Sequence, residues 1–392
     1  MKDTGGYTMK KICIFMLLIC LITLNMSVCI FSDVYAEPAF EINAKSAVLM
    51  EASTGQVLYE KNAHEKLPPA SVTKVMTMML IMEALESEKI ALDDVATCSE
   101  YASSMGGSQI YLAAGEKMSV EELLKAIAVA SGNDASVAMA EHIHGSEEAF
   151  VKAMNDKAKA LGMNNTNFVN CNGLDAEEHY TTAYDIALMS RELLKYPKIH
   201  DYLTTWMDSL RDGQFGLANT NKLIRFYEGA TGIKTGSTSK ALFCLAASAK
   251  RNDMHLIASI MAASTSQDRF GYASKLMDHG FANYAVVPGV KKGEDVGEIE
   301  VLKGIIPNIK LEAQSGFEML VEKGKENQVE KIVNISENVL APVDKGQKVG
   351  EIKFELDGKE LGRVNVITSE LVKKITVSKV FIKMFQRWLN AR

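Results

Sequence analysis

Two predicted β-hairpins, far apart in the chain, constrain the fold more than any other feature. Residues 47–60 read AVLMEASTGQVLYE, which indicates two short strands around the turn STGQ. Residues 242–249 and 254–261 are apolar runs separated by KRND, which indicates a second hairpin. The sequence between the hairpins is mainly helical, above all at 120–162 and 183–194. Strands at both ends with helices between them predict an antiparallel sheet flanked by helices rather than a βαβ array.

The start of the chain has the pattern of a secretory signal peptide. Lysines at 10–11 precede an apolar run at 12–31, and the small-residue sequence VYA follows at 34–36. We expect cleavage after this sequence and export of the remainder to the outer face of the cytoplasmic membrane or the cell wall. An uncleaved membrane anchor is the alternative, because the apolar run is long enough to span a bilayer. Translation can start at Met1 or at Met9, where MKK begins.

Composition argues against two classes of site. The net charge of −6 disfavours nucleic acid as a partner. The cysteines beyond the predicted signal peptide are Cys98, Cys171 and Cys244, which form no C-x-x-C pair. They predict neither a disulfide framework nor a zinc site, and we expect small buried side chains and no metal.

A serine and a lysine one helical turn apart are the candidate nucleophile and base. Residues 68–77 read PPASVTKVMT, and the apolar positions after Ser71 recur with helical spacing, so Ser71 and Lys74 share a helix face. Burial lowers the pKa of a lysine, and a neutral amine can activate a serine hydroxyl by removing its proton. In the first turn of a helix, free backbone N–H groups can also hold an oxyanion.

The S-x-x-K pair alone is a weak signal, because a second copy occurs at Ser237 and Lys240. It becomes specific as the first member of an ordered set. The sequence SGN follows at 131–133, and KTG follows at 234–236. The ordered set S-x-x-K, S-D-N and K-T-G is the signature of penicillin-binding proteins and class A β-lactamases, and SGN matches its middle motif at the serine and the asparagine.

The chain resembles the low-molecular-mass penicillin-binding proteins, the serine-type D-alanyl-D-alanine carboxypeptidase family. The resemblance covers nearly the whole mature chain and includes the three motifs, the stretch NGLDAEEHYTTAYDIA at 172–187, a β-rich second domain and a basic C-terminal helix. It implies an α/β (α+β) fold of the serine β-lactamase/transpeptidase type. It also implies a peptidoglycan pentapeptide ending in D-Ala-D-Ala as substrate, β-lactam antibiotics as inhibitors, and no cofactor.

The family's catalytic roles carry over to matching positions. The resemblance implies Ser71 as the acyl-ester nucleophile, Lys74 as its base, and Ser131 as a proton relay toward the leaving amine. Asn133 is implied to shape the substrate groove.

Substrate binding is implied for the K-T-G segment and its neighbours. Lys234 and Thr235, with Gly236 completing the motif, are implied to bind the terminal carboxylate, and a lysine beside a hydroxyl suits that anion. The backbone N–H groups of the nucleophile and of Ser237 are implied to form the oxyanion hole. Relatives often carry histidine or tyrosine where this chain has Ser237. Arg269 is a weaker candidate for carboxylate contact, with a surface salt bridge as the alternative.

The C-terminal part divides into a β-rich segment and a helix. The sequence EIKFELDGKELGRVNVI predicts a hairpin that turns at Asp357-Gly358. No acidic residue follows Glu370, and the apolar positions of the final segment fall on one helix face. A basic amphipathic helix with aromatic residues is typical of a membrane interface, with docking on the protein's own surface as the alternative. The predicted organisation is a signal peptide at 1–36, a catalytic domain at 37–286, a β-rich domain at 287–370 and the helix at 371–392.

Two other functions remain as alternatives. A class A β-lactamase shares the motifs, but the E-x-x-L-N loop that its deacylation needs is not found in the sequence. A non-catalytic peptidoglycan-binding protein is disfavoured by the intact set of Ser71, Lys74, Ser131 and Lys234.

Overall fold

A computed structural model describes residues 41–390, and the predicted signal peptide lies outside this range. The strands are β1 (Ser46–Glu51), β2 (Val57–Lys61), β3 (Val95–Thr97), β4 (Lys117–Ser119), β5 (Met207–Leu210), β6 (Phe215–Ala218), β7 (Ala230–Thr238), β8 (Leu242–Arg251), β9 (Met254–Ala263), β10 (Tyr284–Val290), β11 (Asp295–Leu302), β12 (Asn308–Ala313), β13 (Phe317–Glu322), β14 (Glu330–Ile335), β15 (Asn338–Leu340), β16 (Lys348–Leu356) and β17 (Lys359–Thr368). The α-helices are α1 (Lys74–Glu86), α2 (Glu100–Ser103), α3 (Val120–Lys125), α4 (Asn133–His144), α5 (Glu147–Ala160), α6 (Ala183–Leu193), α7 (Ile199–Leu203), α8 (Leu223–Phe226), α9 (Ser266–Asn283) and α10 (Val377–Asn390).

The central sheet joins the two predicted hairpins. Its strand order is β2-β1-β9-β8-β7, and each neighbouring pair is antiparallel. Successive residues of β1 enter different cores, because side chains alternate across a strand. Ala47 and Leu49 pack into one cluster, whereas Val48 and Met50 pack into the other. The sheet is therefore buried on both faces.

Helices cover both faces of this sheet. Helix α9 packs against β8 and β9 on one face, and α6 packs against β1 and β9 on the other. Helix α1 packs against α6 and is separated from solvent on almost every side. The antiparallel sheet flanked by helices confirms the predicted fold class.

The helix that carries the candidate base is buried on nearly every side. Besides the apolar residues that recur with helical spacing, Met78 and Ile81, outside that spacing, are fully buried as well. A helix that is apolar all round belongs in a core, so α1 is a central helix. The prediction of buried cysteines is confirmed, since Cys98, Cys171 and Cys244 are buried and free.

The β-rich segment forms its own sheet of order β14-β16-β17-β12-β11-β15 beside the pair β10–β13. Its core contains Ile352, Phe354, Val364 and Val366, which alternate along the predicted hairpin. The turn between them has positive φ at Asp357 (52°) and at Gly358 (76°), as a type I′ turn requires. The predicted domain boundary after residue 286 falls inside β10.

Candidate active site

Ser71 lies in a short 3₁₀ turn, Ala70–Thr73, and the α-helix begins only at Lys74. Ser71 therefore lies in the first turn of the helix, as expected, but this turn is 3₁₀ and the α-helical part follows it. The local reason is a tightened turn, in which the Thr73 hydroxyl donates to Ala70 O at 2.9 Å. Ala70 has φ of 48°, a left-handed conformation that alanine rarely adopts.

Lys74 is completely buried, and its amine is held by three oxygens. Nζ lies 3.0 Å from Ser71 Oγ, 2.6 Å from Asn133 Oδ1 and 2.6 Å from Asn172 O. Burial lowers the pKa of Lys74 to about 7, and the nearby Cys171 and Asp134 oppose that shift. A large fraction of this amine is therefore neutral near pH 7.

The partners of Lys74 determine where a neutral amine directs its lone pair. The Asn172 carbonyl and the Asn133 side-chain carbonyl can only accept hydrogen bonds. The Asn133 amide orientation agrees with this assignment, since its Nδ2 donates to Gly106 O at 2.6 Å. Both hydrogens of a neutral amine are then used, and its lone pair is left for the Ser71 hydroxyl. The second S-x-x-K copy has no such arrangement, because Ser237 is in β7 and the exposed Lys240 is in the turn that follows.

Ser131 follows a π-helical turn, Ala126–Ala130, and adopts a left-handed conformation with φ of 66° and ψ of 32°. The side chain is buried, and within the described residues Ser131 Oγ has no hydrogen-bond partner. Asn133, two residues later, opens α4 and contacts Lys74 directly. The structure thus brings the S-x-N segment to the same amine as the nucleophile.

The K-T-G segment lies on β7, the edge strand of the central sheet. Lys234 is 1% exposed, and its Nζ donates to Thr235 O at 3.1 Å. Burial lowers the pKa of Lys234 well below its usual value, and the positive charges of Lys74 and Arg269 lower it further. Thr235 Oγ1 donates to Thr220 Oγ1 at 2.7 Å.

Gly236 permits β7 to lie directly against the nucleophile turn. A Cβ atom at this position would lie 2.8 Å from Pro69 O and 2.9 Å from Ser71 N. The next residue, Ser237, is exposed. Since any larger residue would displace the strand from Ser71, the K-T-G glycine sets the spacing between the two walls of the site.

Arg269 on α9 is 8% exposed, so the alternative of a surface salt bridge is wrong. Its Nη1 donates to Gly236 O at 3.0 Å and to Cys244 O at 3.2 Å, and the guanidinium lies over the rings of Phe243 and Phe270. From helix α9, the guanidinium thereby supports the K-T-G strand and the strand paired with it. Direct contact between Arg269 and a substrate carboxylate stays a prediction.

Comparisons with known proteins agree with this geometry. A sequence model of the D-alanyl-D-alanine carboxypeptidase family matches residues 33–265, and one of the penicillin-binding protein 5 C-terminal domain matches residues 284–374. The chain is 50% identical over 335 residues to D-alanyl-D-alanine carboxypeptidase DacF of Bacillus subtilis, covering 84% of this chain and 86% of that one. The chain belongs to the D-alanyl-D-alanine carboxypeptidase family.

Solved structures of related proteins support the same family assignment. Penicillin-binding protein 5 from Haemophilus influenzae superposes with a TM-score of 0.79 at 32% identity, covering 86% of this chain and 99% of that one. Penicillin-binding protein D2 from Listeria monocytogenes, in an ampicillin-bound form, has a TM-score of 0.57 at 30% identity, covering 62% and 100% of the two chains. These matches confirm the predicted family, the fold class and the classification as a serine-type peptidase.

Sequence reasoning missed three residues that shape the site of the carboxypeptidase. Asn172 contributes a backbone carbonyl to Lys74, Thr220 contacts the K-T-G threonine, and Asp134 accepts hydrogen bonds from the backbone N–H groups of Ile110 and Leu112. Only Asp134 offered a sequence signal, as an acid directly after the S-x-N motif.

Across residues 41–390, the histidine, cysteine, aspartate and glutamate side chains form no group of three that could hold a metal ion.

Proposed function

We propose that this enzyme removes the terminal D-alanine from peptidoglycan stem peptides through an acyl-enzyme on Ser71. The observation that carries the proposal is the buried Lys74 amine, 3.0 Å from Ser71 Oγ, with a pKa lowered to about 7. Two acceptor-only oxygens use the hydrogens of the neutral amine, so its free electron pair faces the hydroxyl. This arrangement is that of a general base and its nucleophile.

Acylation would take place between the nucleophile turn, Ala70–Thr73, and strand β7, which form the two walls of the site. Lys74 takes the hydroxyl proton as Ser71 Oγ attacks the carbonyl between the two D-alanine residues. The backbone N–H groups of Ser71 and Ser237 bind the oxyanion, a role supported by the close approach of Gly236 to Ser71 N. The carbon–nitrogen bond then breaks, and a proton passes to the departing amine of D-alanine.

Ser131 is the proposed relay for that proton. Its hydroxyl is buried and has no partner within residues 41–390, so a polar group of the bound substrate can satisfy it. Its left-handed conformation is of the kind that persists where surrounding structure enforces it, often at active sites. Water then hydrolyses the Ser71 ester and releases the shortened peptide.

Lys234 and Thr235 are the proposed receptors for the terminal carboxylate. Burial and two neighbouring positive charges disfavour the protonated amine of Lys234. A bound carboxylate has the opposite effect, because an adjacent negative charge favours the ammonium form. Binding of the anion and protonation of Lys234 therefore support each other, which selects for peptides that end at the D-alanine. Penicillins also carry a carboxylate beside a reactive carbonyl, so we include β-lactams among the ligands; the ampicillin complex of the Listeria neighbour supports this extension.

The proposed location is the outer face of the cytoplasmic membrane. The predicted signal peptide, residues 1–36, would export the chain, and the C-terminal helix would hold it at the lipid surface. Helix α10 exposes Val377 (79%), Phe381 (74%), Phe385 (61%) and Trp388 (57%), which supports a membrane-interface role over docking on the protein itself. None of the helices within residues 41–390 combines the length and apolar character that crossing a bilayer requires.

The division into a catalytic domain at 37–286, a β-rich domain from 287 and a terminal segment remains part of the proposal, with the end of the β-rich domain moved from the predicted 370 to beyond Val372, which lies in its core. The separate core of the β-rich sheet supports it.

Release of D-alanine from a pentapeptide ending in D-Ala-D-Ala is the test. Wild-type protein should release D-alanine and should be labelled by a fluorescent penicillin, and Ser71→Ala should do neither. Rapid hydrolysis of penicillin without D-alanine release would favour a β-lactamase. Absence of both activities in folded wild-type protein would favour a non-catalytic binding protein.

A further inference from the structure

A buried histidine is connected to the nucleophile turn by a chain of hydrogen bonds. His179 is 4% exposed, and its Nε2 lies 2.8 Å from Thr73 Oγ1. The Thr73 hydroxyl in turn donates to Ala70 O at 2.9 Å, immediately before Ser71. His179 comes from the stretch between the S-x-N and K-T-G motifs, and the proposed mechanism leaves it without a role.

The donor and acceptor of each hydrogen bond can be assigned by starting at the backbone of Val169. The backbone N–H of Val169 donates to His179 Nδ1 at 2.9 Å, so Nδ1 is an acceptor and the ring proton is on Nε2. Nε2–H then donates to Thr73 Oγ1, which leaves the hydroxyl hydrogen free to donate to Ala70 O. Burial lowers the pKa of His179 to about 4, which agrees with a neutral ring in this tautomer.

The chain of hydrogen bonds ends at the carbonyl of Ala70, a residue whose backbone conformation needs support from its surroundings. Ala70 has φ of 48°, which costs an ordinary residue free energy and persists only when its surroundings enforce it. Gly173 packs against the same carbonyl, and a Cβ there would lie 1.9 Å from Ala70 O. Thus Gly173 packs against one side of the Ala70 carbonyl, and the Thr73 hydroxyl, itself hydrogen-bonded to His179, donates to the carbonyl oxygen.

The same stretch also fixes the base. Asn172 O accepts from Lys74, and Cys171 O accepts from the Thr77 hydroxyl one turn later at 2.5 Å. The segment 171–179 therefore contacts both the nucleophile turn and the helix of the base. A shift of this segment would change the distance between Ser71 Oγ and Lys74 Nζ.

We propose that His179 is a positioning residue for acylation, which acts through Thr73 to hold the left-handed Ala70 and thereby Ser71 Oγ in line with Lys74. The inference rests on the proposed function, because it assumes Ser71 as the nucleophile. It makes no use of a change in the charge of His179. Its consequence is kinetic: loss of the chain should slow acylation while leaving the initial binding of the carboxylate on β7 unchanged.

Two pairs of matched variants test this. In His179→Gln, the amide nitrogen can reach the position of Nε2 and donate to Thr73, whereas His179→Asn can accept from Val169 but is too short to reach Thr73. Each variant loses one buried hydrogen bond, so both should lose similar stability. Thr73→Ser keeps the hydroxyl, and Thr73→Val keeps the shape without it.

The measurement is stopped-flow acylation by a fluorescent penicillin, separated into the initial dissociation constant and the acylation rate constant. We expect His179→Asn and Thr73→Val to lose about 100-fold in the rate constant, the size of effect that misplacing a reacting group produces, with the dissociation constant unchanged. His179→Gln and Thr73→Ser should stay within about tenfold of wild type. The double variant His179→Asn/Thr73→Val should be no slower than either single variant, because both remove the same chain.

Thermal unfolding of each variant provides the structural control. If Thr73→Val acylates at the wild-type rate, or if the two losses are additive, the inference is wrong. Equal rates for His179→Gln and His179→Asn at equal stability would also overturn it. Should a histidine variant fail to fold, the threonine pair decides the question. Failure of the proposed function is distinguishable, since wild-type protein would then form no ester on Ser71.

Discussion

Acylation of Ser71 should slow about tenfold for each pH unit below about 7. The prediction follows from Lys74, whose pKa burial lowers to about 7. Only the neutral amine can accept the hydroxyl proton, so the reactive fraction is present above this pKa and is lost as the pH falls through it. The neutral fraction should be about one half at pH 7, about one tenth at pH 6 and about one hundredth at pH 5.

The assay is the acylation rate constant at saturating fluorescent penicillin, measured from pH 5 to pH 9 at constant ionic strength. In the proposed binding mode, saturation would keep the carboxylate of the drug beside Lys234, so the acid limb of the pH profile would report on Lys74. The logarithm of the rate constant should rise with a slope near one and level off above about pH 7. Lys74→Ala should lose about 100-fold or more, the usual contribution of a general base.

Lys240→Ala is the matched control, because Lys240 belongs to the second S-x-x-K copy but is exposed in a turn. Its pH profile should equal that of the wild type, and thermal unfolding at each pH should show a folded protein. A rate constant that stays flat from pH 5 to pH 9 would refute the reasoning. An acid limb that persists in Lys74→Ala would do the same, since another group would then be titrating.

Two further predictions test the wall of the site and the terminal helix. Gly236→Ala places a methyl group 2.9 Å from Ser71 N, so it should displace β7 and slow acylation about 100-fold. Gly216→Ala is the control and should have no effect on the acylation rate, because the space around Gly216 is open. Equal acylation rates for the two variants would contradict the prediction. A mature chain that ends at Thr376 should keep its penicillin acylation rate but should no longer sediment with anionic lipid vesicles, and continued sedimentation would contradict the proposed anchor.

The end point of that truncation comes from the structure rather than from the predicted boundary at residue 370. Val372 is fully buried in the core of the β-rich domain and pairs with Val343. A cut after Glu370 would remove this side chain from the core and destabilise the domain. The acidic residues stop at Glu370, but the packed β-rich domain continues at least to Val372. The change in sequence character therefore comes before the end of the domain.

Features that depend on short stretches of chain were predicted well. The contact between Ser71 and Lys74 follows from residues one turn apart, and the 3₁₀ start of the turn moved the helix boundary without separating them. The turn at Asp357-Gly358 was specified by two residues that tolerate positive φ. In each case the deciding interactions lie within a few residues of one another.

Features that depend on backbone atoms or distant pairings could not be predicted. The third partner of Lys74 is a main-chain carbonyl at Asn172, and any residue type would present that atom. The contact of Thr235 with Thr220 joins two common hydroxyls, and the insertion of β9 between β1 and β8 depends on the order in which strands pair. Neither kind of information appears as a motif, because a motif records side-chain identity along the chain.

The two lysines of the site are costly to the fold for the same electrostatic reason. Lys74 and Lys234 are both buried, and neither is placed against a carboxylate in the ion pairs of the described residues. An unpaired ammonium is costly in such a place, and this cost lowers the pKa of both amines and favours their neutral forms. In the proposed mechanism the neutral form of Lys74 is the reactive one, so the lowered pKa of Lys74 would serve catalysis directly. In the proposed function, a bound carboxylate would favour the ammonium form of Lys234, and the attraction between the two charges would offset the cost of charging a buried amine. Such a site would gain selectivity for a terminal carboxylate, since no acidic partner among the described residues forms an ion pair with this lysine.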